Sequence, residues 1–233
     1  MPLTHSPIIL ALDYNDNKQA LSFAKTIDPK FCHLKVGPIL FTHYGPALIE
    51  ELMKLGFSIF LDLKFFDIPQ TVYGSVKAAA DMGIWMVNVH TTGGKAMMEM
   101  AREAVDASKN KPILLGVTVL TSLSQEDLAW LGVPGTIEER VTALAAHAKN
   151  CGLDGVVCSA HEARILREQL GCDFLLVTPG IRLAEDHDSD QKRIKTPKEA
   201  IEAGANYIVI GRSITQSADP LMVLEKIYLS LKL

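Results

Sequence analysis

Phe57-Ser58-Ile59-Phe60-Leu61-Asp62-Leu63-Lys64-Phe65-Phe66-Asp67-Ile68-Pro69 starts as a buried strand and ends as a run of charges where a strand should still be apolar. Asp62 and Lys64 are two residues apart, so on a strand they point to one face. Asp67 follows just before Ile68-Pro69, where the strand pattern breaks. Charged groups at the end of an apolar strand are costly to bury unless they are paired or in use. A lone Asp-x-Lys is most simply a structural salt bridge. The rest of the chain decides whether these charges form a site.

Working outward, eight short apolar or β-branched runs recur at even intervals: 7–14, 31–37, 58–64, 86–90, 112–120, 155–160, 173–180 and 207–213. Segments of helical periodicity lie between them, over 17–27, 42–55, 71–82, 94–108, 137–150, 161–170, 197–203 and 220–231. In the second of these, Leu48, Leu52 and Leu55 share one face at spacings of four and three. Strict alternation of strand and helix implies parallel strands joined by right-handed crossovers. Eight units in 233 residues point to an α/β fold, a closed (β/α)8 TIM barrel forming one domain over 1–233. An open doubly wound sheet could show the same alternation. No Gly-x-Gly-x-x-Gly follows the first strand, which weakens a dinucleotide-binding version of it. Two stretches break the rhythm. Residues 121–135 contain a helix start with Ser124 as N-cap, and residues 182–196 after strand seven are almost entirely polar.

Composition narrows the function classes. Hydrophobic residues make up 48% and charged residues 21%, ample for a core, and a net charge of −4 argues against bulk nucleic-acid binding. The first seven residues lack a basic stretch leading into an apolar one, and no apolar run approaches the roughly 18–20 residues of a membrane span. Cys32, Cys151, Cys158 and Cys172 form no Cys-x-x-Cys pair and read as small buried hydrophobes of a reducing compartment. A soluble cytoplasmic protein is expected.

Strand phase then sorts the side chains. In strand one, residues 8, 10 and 12 are large and apolar and suit the helix layer, while Asp13 shares its phase with Ala11. In strand two, Cys32, Leu34 and Val36 suit the helices, leaving His33 and Lys35 on the other phase. Strand three gives Ile59, Leu61 and Leu63 to the helices and turns Asp62 and Lys64 inward; strand four puts Asn88 and His90 on one phase. Asp13, Lys35, Asp62 and Lys64 thus converge at the C-terminal end of consecutive strands, where barrels of this type carry their reactive groups. A barrel interior can be filled with Val, Ile and Leu, so four alternating charges at one mouth read as a functional cluster. His33 and His90 read as satisfied core or rim histidines.

The second half supplies a different chemistry. Ile210-Gly211-Arg212-Ser213 runs from the last strand into a short helix, and barrels often bind phosphate with the loops after strands seven and eight. Gly211 lets the backbone approach an anion and Arg212 can donate a bidentate pair to it. Thr178-Pro179-Gly180-Ile181-Arg182 and the polar loop beyond, with Gln191 as a candidate donor, strengthen that reading.

At this point the run from Asp62 to Thr71 resembles the signature of the orotidine 5′-phosphate decarboxylase family, bacterial type. The resemblance extends through Ala11-Leu12-Asp13, Leu34-Lys35-Val36-Gly37, Val117-Thr118-Val119-Leu120-Thr121-Ser122, Thr178–Arg182 and Ile210-Gly211-Arg212. The family more often has His where Phe66 stands and Asn where Gln70 stands, positions that carry no charge chemistry. The resemblance implies a carboxy-lyase that turns orotidine 5′-phosphate into UMP, the last step of de novo pyrimidine synthesis, with neither metal nor organic cofactor. Lys35, Asp62, Lys64 and Asp67 would form the charge network, with Lys64 stabilising and protonating the C6 carbanion. Asp13, Lys35 and Thr71 would hold the ribose, Thr121 the pyrimidine, and Arg182, Gln191, Gly211 and Arg212 the phosphate. It also implies a homodimer in which Asp67 and Thr71 reach into the partner's site, without nucleic-acid or membrane partners. Related phosphosugar decarboxylases and aldolases share Asp-x-Lys-x-x-Asp but use Mg2+ held partly by an acidic residue of strand two. Here Lys35 stands in that place and would repel the metal. A non-catalytic nucleotide-binding barrel would lack a member of the charge network, and none is missing.

Overall fold

The structure, a computed structural model, describes residues 6–183 and 195–231. Eight strands, β1 (Ile8–Ala11), β2 (His33–Val36), β3 (Ile59–Phe65), β4 (Met86–His90), β5 (Ile113–Val117), β6 (Gly155–Val157), β7 (Leu175–Thr178) and β8 (Tyr207–Ile210), pair in parallel in sequence order and close into a barrel. Around it run α1 (Asn17–Ala24), α2 (Pro38–Lys54), α3 (Pro69–Asp81), α4 (Lys95–Asp106), α6 (Ile137–Asn150), α7 (Ala163–Leu170), α8 (Pro197–Glu202) and α10 (Pro220–Leu231). Two short helices are extra: α5 (Gln125–Trp130) after β5 and α9 (Arg212–Thr215) after β8. The closed barrel, not the open sheet, is therefore the fold.

The outward strand phases pack into one continuous layer against the helices. Ile8, Leu10, Cys32, Leu34, Val36, Ile59, Leu61, Val87, Val89, Leu176, Ile208 and Ile210 all belong to it. The inward phases make a second, smaller core from Ile9, Ala11, Phe60, Met86, Leu115, Val177 and Val209. Its lower end is sealed by rings at the N-terminal ends of three strands. His33 stacks on Trp85 at 4.0 Å between ring centres, and Tyr207 meets Trp85 edge-on at 5.2 Å. His33 is thus a barrel-floor residue, far from the strand ends where the charges gather. The buried polar pair Asp62 and Asn88 lies above this seal, toward the C-terminal ends of β3 and β4.

Local chemistry explains where element ends differ from the periodicity. α2 begins at Pro38 instead of residue 42, because Pro at the first helical turn needs no N–H partner. It kinks where Gly45 (φ 58°) precedes Pro46, whose missing N–H breaks the helical ladder. Likewise α3 starts on Pro69, two residues before the expected position. Ser124 caps α5 as expected, its hydroxyl accepting from Asp127 N while Asp127 accepts from Ser124 N at 2.7 Å. Strands β5 and β6 stop at Val117 and Val157, earlier than the apolar runs. Three of the cysteines are buried, and Cys32 is pushed up to about 12 by burial. Cys172 corrects the expectation: it is exposed in the turn before β7. No helix among the described residues is long and apolar enough to cross a membrane.

One close approach in the wall allows no side chain. A Cβ on Gly155 would lie 2.2 Å from the carbonyl oxygen of Leu175 and 2.6 Å from its Cβ. Backbone on an adjacent strand cannot swing aside as a flexible side chain would. Gly155→Ala should lower the unfolding free energy by about 1–3 kcal/mol in a denaturant titration. An unchanged midpoint would contradict the tight β6–β7 seam.

Candidate active site

The charges meet at the C-terminal mouth. Lys35 comes from β2, where an inward position beside β1 and β3 brings its Nζ within 3.4 Å of Asp13 Oδ1 and 3.3 Å of Asp62 Oδ2. On the other side of the same carboxylate, Lys64 Nζ donates to Asp62 Oδ1 at 2.7 Å. The order is Asp13–Lys35–Asp62–Lys64, alternating in sign. Asp62 is only 7% exposed. An isolated carboxylate could not remain ionised at such a depth, so its two ammonium partners are a condition of its charge.

The titration directions follow from that geometry. Burial alone would raise the Asp62 carboxyl, but Lys35 and Lys64, with hydrogen bonds from Lys64 and Asn88, hold it below the usual carboxylate value. Burial would likewise lower Lys35, but Asp62 and Asp13 outweigh it and raise the ammonium. His90, at the end of β4, is lowered by burial and then by the Lys64 charge, which favours its neutral form. Its ring meets Phe66 at 5.6 Å.

Lys64 does not reach this position by simple strand alternation. Pairing of β3 with β4 runs through Leu61↔Val87 and resumes at Phe65↔Val89, so Asp62, Leu63 and Lys64 stand opposite Asn88 alone. Lys64 has φ 51°, the single non-glycine residue with positive φ among the described residues. A left-handed backbone on an ordinary side chain costs about 1–2 kcal/mol and is held only where its surroundings fix it. The strand alternation that put Asp62 and Lys64 on one face is therefore incomplete: a bulge aims the lysine.

The mouth opens into a cavity of about 550 Å³. Asp13, Lys35, Asp62 and Lys64 occupy one side, and Thr121, Arg182, Gly211 and Arg212 line it too. Phe60, Val117, Val157 and Val209 form an apolar floor under the charges. At Gly211 a Cβ would project 3.4 Å from Ala11 Cβ and 3.5 Å from Asp13 Oδ2, into the seam where β8 meets β1. Arg182 is largely buried, its backbone N–H donating to the Lys195 carbonyl at 3.1 Å. Asp67 and Thr71 are not part of this cavity; both are exposed, and Asp67 Oδ1 accepts from Ile68 N at 2.7 Å. Gln191 lies outside the described residues. Two features escaped the sequence reading. Asn88 had only a strand phase to mark it, and the apolar floor had only its place on inward phases.

Known proteins resemble this chain along nearly its whole length. The sequence model of the Orotidine 5′-phosphate decarboxylase / HUMPS family matches residues 6–227. The chain belongs to that family. It is 54% identical over 222 residues to an orotidine 5′-phosphate decarboxylase of Coxiella burnetii (strain RSA 331 / Henzerling II), covering 94% of each chain. Identity is 53% over 227 residues with that of Neisseria meningitidis (serogroup A, strain Z2491), covering 97% of this chain and 92% of the other. Among solved structures, the Lactobacillus acidophilus orotidine 5′-phosphate decarboxylase superimposes with a TM-score of 0.87 at 39% identity, covering 98% of this chain and all of that one.

The electrostatics of this family member's site can be tested through stability. Asp62 is held below its ordinary value of 3.8, so the stabilisation it gives is complete above that value and is lost as pH falls through the lowered one. Asp62→Asn should therefore melt below the unsubstituted protein near neutral pH, and the gap should close below about pH 4. A gap that stays constant down to about pH 3 would contradict the assigned pairing.

Proposed function

We propose that this barrel removes CO2 from orotidine 5′-phosphate to give UMP, a step of pyrimidine biosynthesis, and that Lys64 supplies the proton that replaces the carboxylate. The observation that carries the reading is the Lys64 ammonium 2.7 Å from a buried Asp62 carboxylate, above an apolar floor. When the C6–CO2 bond breaks, its electron pair stays on C6, with no adjacent carbonyl placed to accept it. Lys64 stabilises that developing negative charge and then transfers a proton to C6; the neutral amine regains its proton from water. Asp62 disfavours the substrate carboxylate by like-charge proximity and keeps Lys64 aimed. Preorganised charge in a water-poor site does most of the work.

The remaining assignments follow from charge and position. Arg182, Gly211 and Arg212 bind the phosphate, with Gln191 joining from the loop after β7, and phosphate binding helps close the site. Asp13 and Lys35 hold the ribose hydroxyls and Thr121 contacts the pyrimidine. Asp67 and Thr71 serve the site of a second copy in a homodimer. Their exposure supports this, as do the flanking apolar side chains: Phe66 is 60% and Ile68 68% exposed. One domain over 1–233, acting in the cytoplasm, completes the reading. The Mg2+-dependent phosphosugar reaction of related barrels is disfavoured by Lys35, whose ammonium lies 3.3 Å from Asp62 and repels a divalent cation from that carboxylate.

Lys64→Ala in purified protein should cut kcat by at least about 100-fold, followed by the ultraviolet change as substrate becomes UMP. Turnover close to that of the unsubstituted protein would remove Lys64 from the chemical step.

A further inference from the structure

We propose that Asn88 is a positioning residue for the reaction, its buried side-chain amide fixing the Asp62 carboxylate and the bulged backbone of Lys64 relative to each other. This rests on the reading that Lys64 delivers the proton. Asn88 is 0% exposed on β4, with an inward side chain beneath the charges. Its Nδ2 donates to Asp62 Oδ1 at 2.6 Å and its Oδ1 accepts from Lys64 N at 2.8 Å. These bonds fix which way the amide lies. A flipped amide would set donor against donor at Lys64 and acceptor against carboxylate at Asp62.

The register makes this one side chain responsible for the whole bulge. Between the pairs Leu61↔Val87 and Phe65↔Val89, the sole β4 residue facing Asp62, Leu63 and Lys64 is Asn88. With the ladder interrupted, the Lys64 N–H takes a side-chain oxygen as acceptor. That hydrogen bond sits on the residue with φ 51°, the backbone torsion that turns the lysine toward Asp62. An apolar residue at 88 would leave the Lys64 N–H without its acceptor and take away one of the two donors to Asp62 Oδ1. Asn88 does not line the cavity; it acts through Lys64 and Asp62.

Asn88→Asp separates positioning from simple core filling. Its carboxylate can still accept from Lys64 N but faces Asp62 with like charge, whereas its protonated form restores both hydrogen bonds. Burial and Asp62 raise the new carboxyl, so protonation comes within reach of mild acid. The kcat ratio of Asn88→Asp to the unsubstituted protein should be reduced about 100-fold near pH 8 and climb steadily toward about pH 5. A ratio flat across that range would overturn the proposal. Asn88→Leu gives a second readout should the aspartate variant not fold at the higher pH. It should lose about 100-fold in kcat with KM within about 3-fold, because it misaims the reacting group and leaves binding intact. A rise in KM at unchanged kcat would equally overturn the assignment. Absence of any turnover in the unsubstituted protein would instead reject the decarboxylase reading itself.

Discussion

The structure depends on one carboxylate being kept ionised where water hardly reaches. Asp62 is wedged between the ammonium groups of Lys35 and Lys64, at 3.3 and 2.7 Å, with an amide beneath it. Lys35, itself buried, would be costly to hold there without it, and the carboxylate would not stay charged without its two ammonium partners. A hydrophobic replacement of the set would cost the fold little, since buried ion pairs are seldom a net gain in stability. What the set provides is a fixed local field. The barrel concentrates that field at one end by sealing the other with Trp85, Tyr207 and His33.

Much of this was legible in the sequence because strand phase is a local property. Apolar residues at 8, 10, 34, 36, 59 and 61 assigned one face to the helices, and the charges at 13, 35 and 62 followed on the other. Strand phase brings Lys64 to the mouth beside Asp62 for an incomplete reason. Its left-handed backbone arises from the pairing of β3 with β4, a tertiary fact with no signature in either strand alone. Asn88 was hidden for the same reason: an inward asparagine has several possible partners until the register selects them. The early start of α2 at Pro38 was a different miss, since a proline fits the first helical turn and Leu40 already shares the buried face of Leu48 and Leu52.

The mouth divides its tasks between two halves of the chain. Strands β1 to β3 and their ends supply the alternating charges, and β7 and β8 lead into the arginines and Gly211, around a cavity of about 550 Å³. The family name covers more than one enzyme group, and the relatives compared with this chain are named orotidine 5′-phosphate decarboxylases; Lys35 stands at the end of β2 beside Asp62. An ammonium in that place favours an anionic substrate and disfavours a bound divalent metal.

The most direct measurement is release of labelled CO2 from orotidine 5′-phosphate carrying the label in its carboxylate, with the purified chain and excess chelator present. The account predicts CO2 and UMP in equal amounts, at a rate the chelator does not change. Turnover that appears only when a divalent cation is restored, or no CO2 at all, would contradict it.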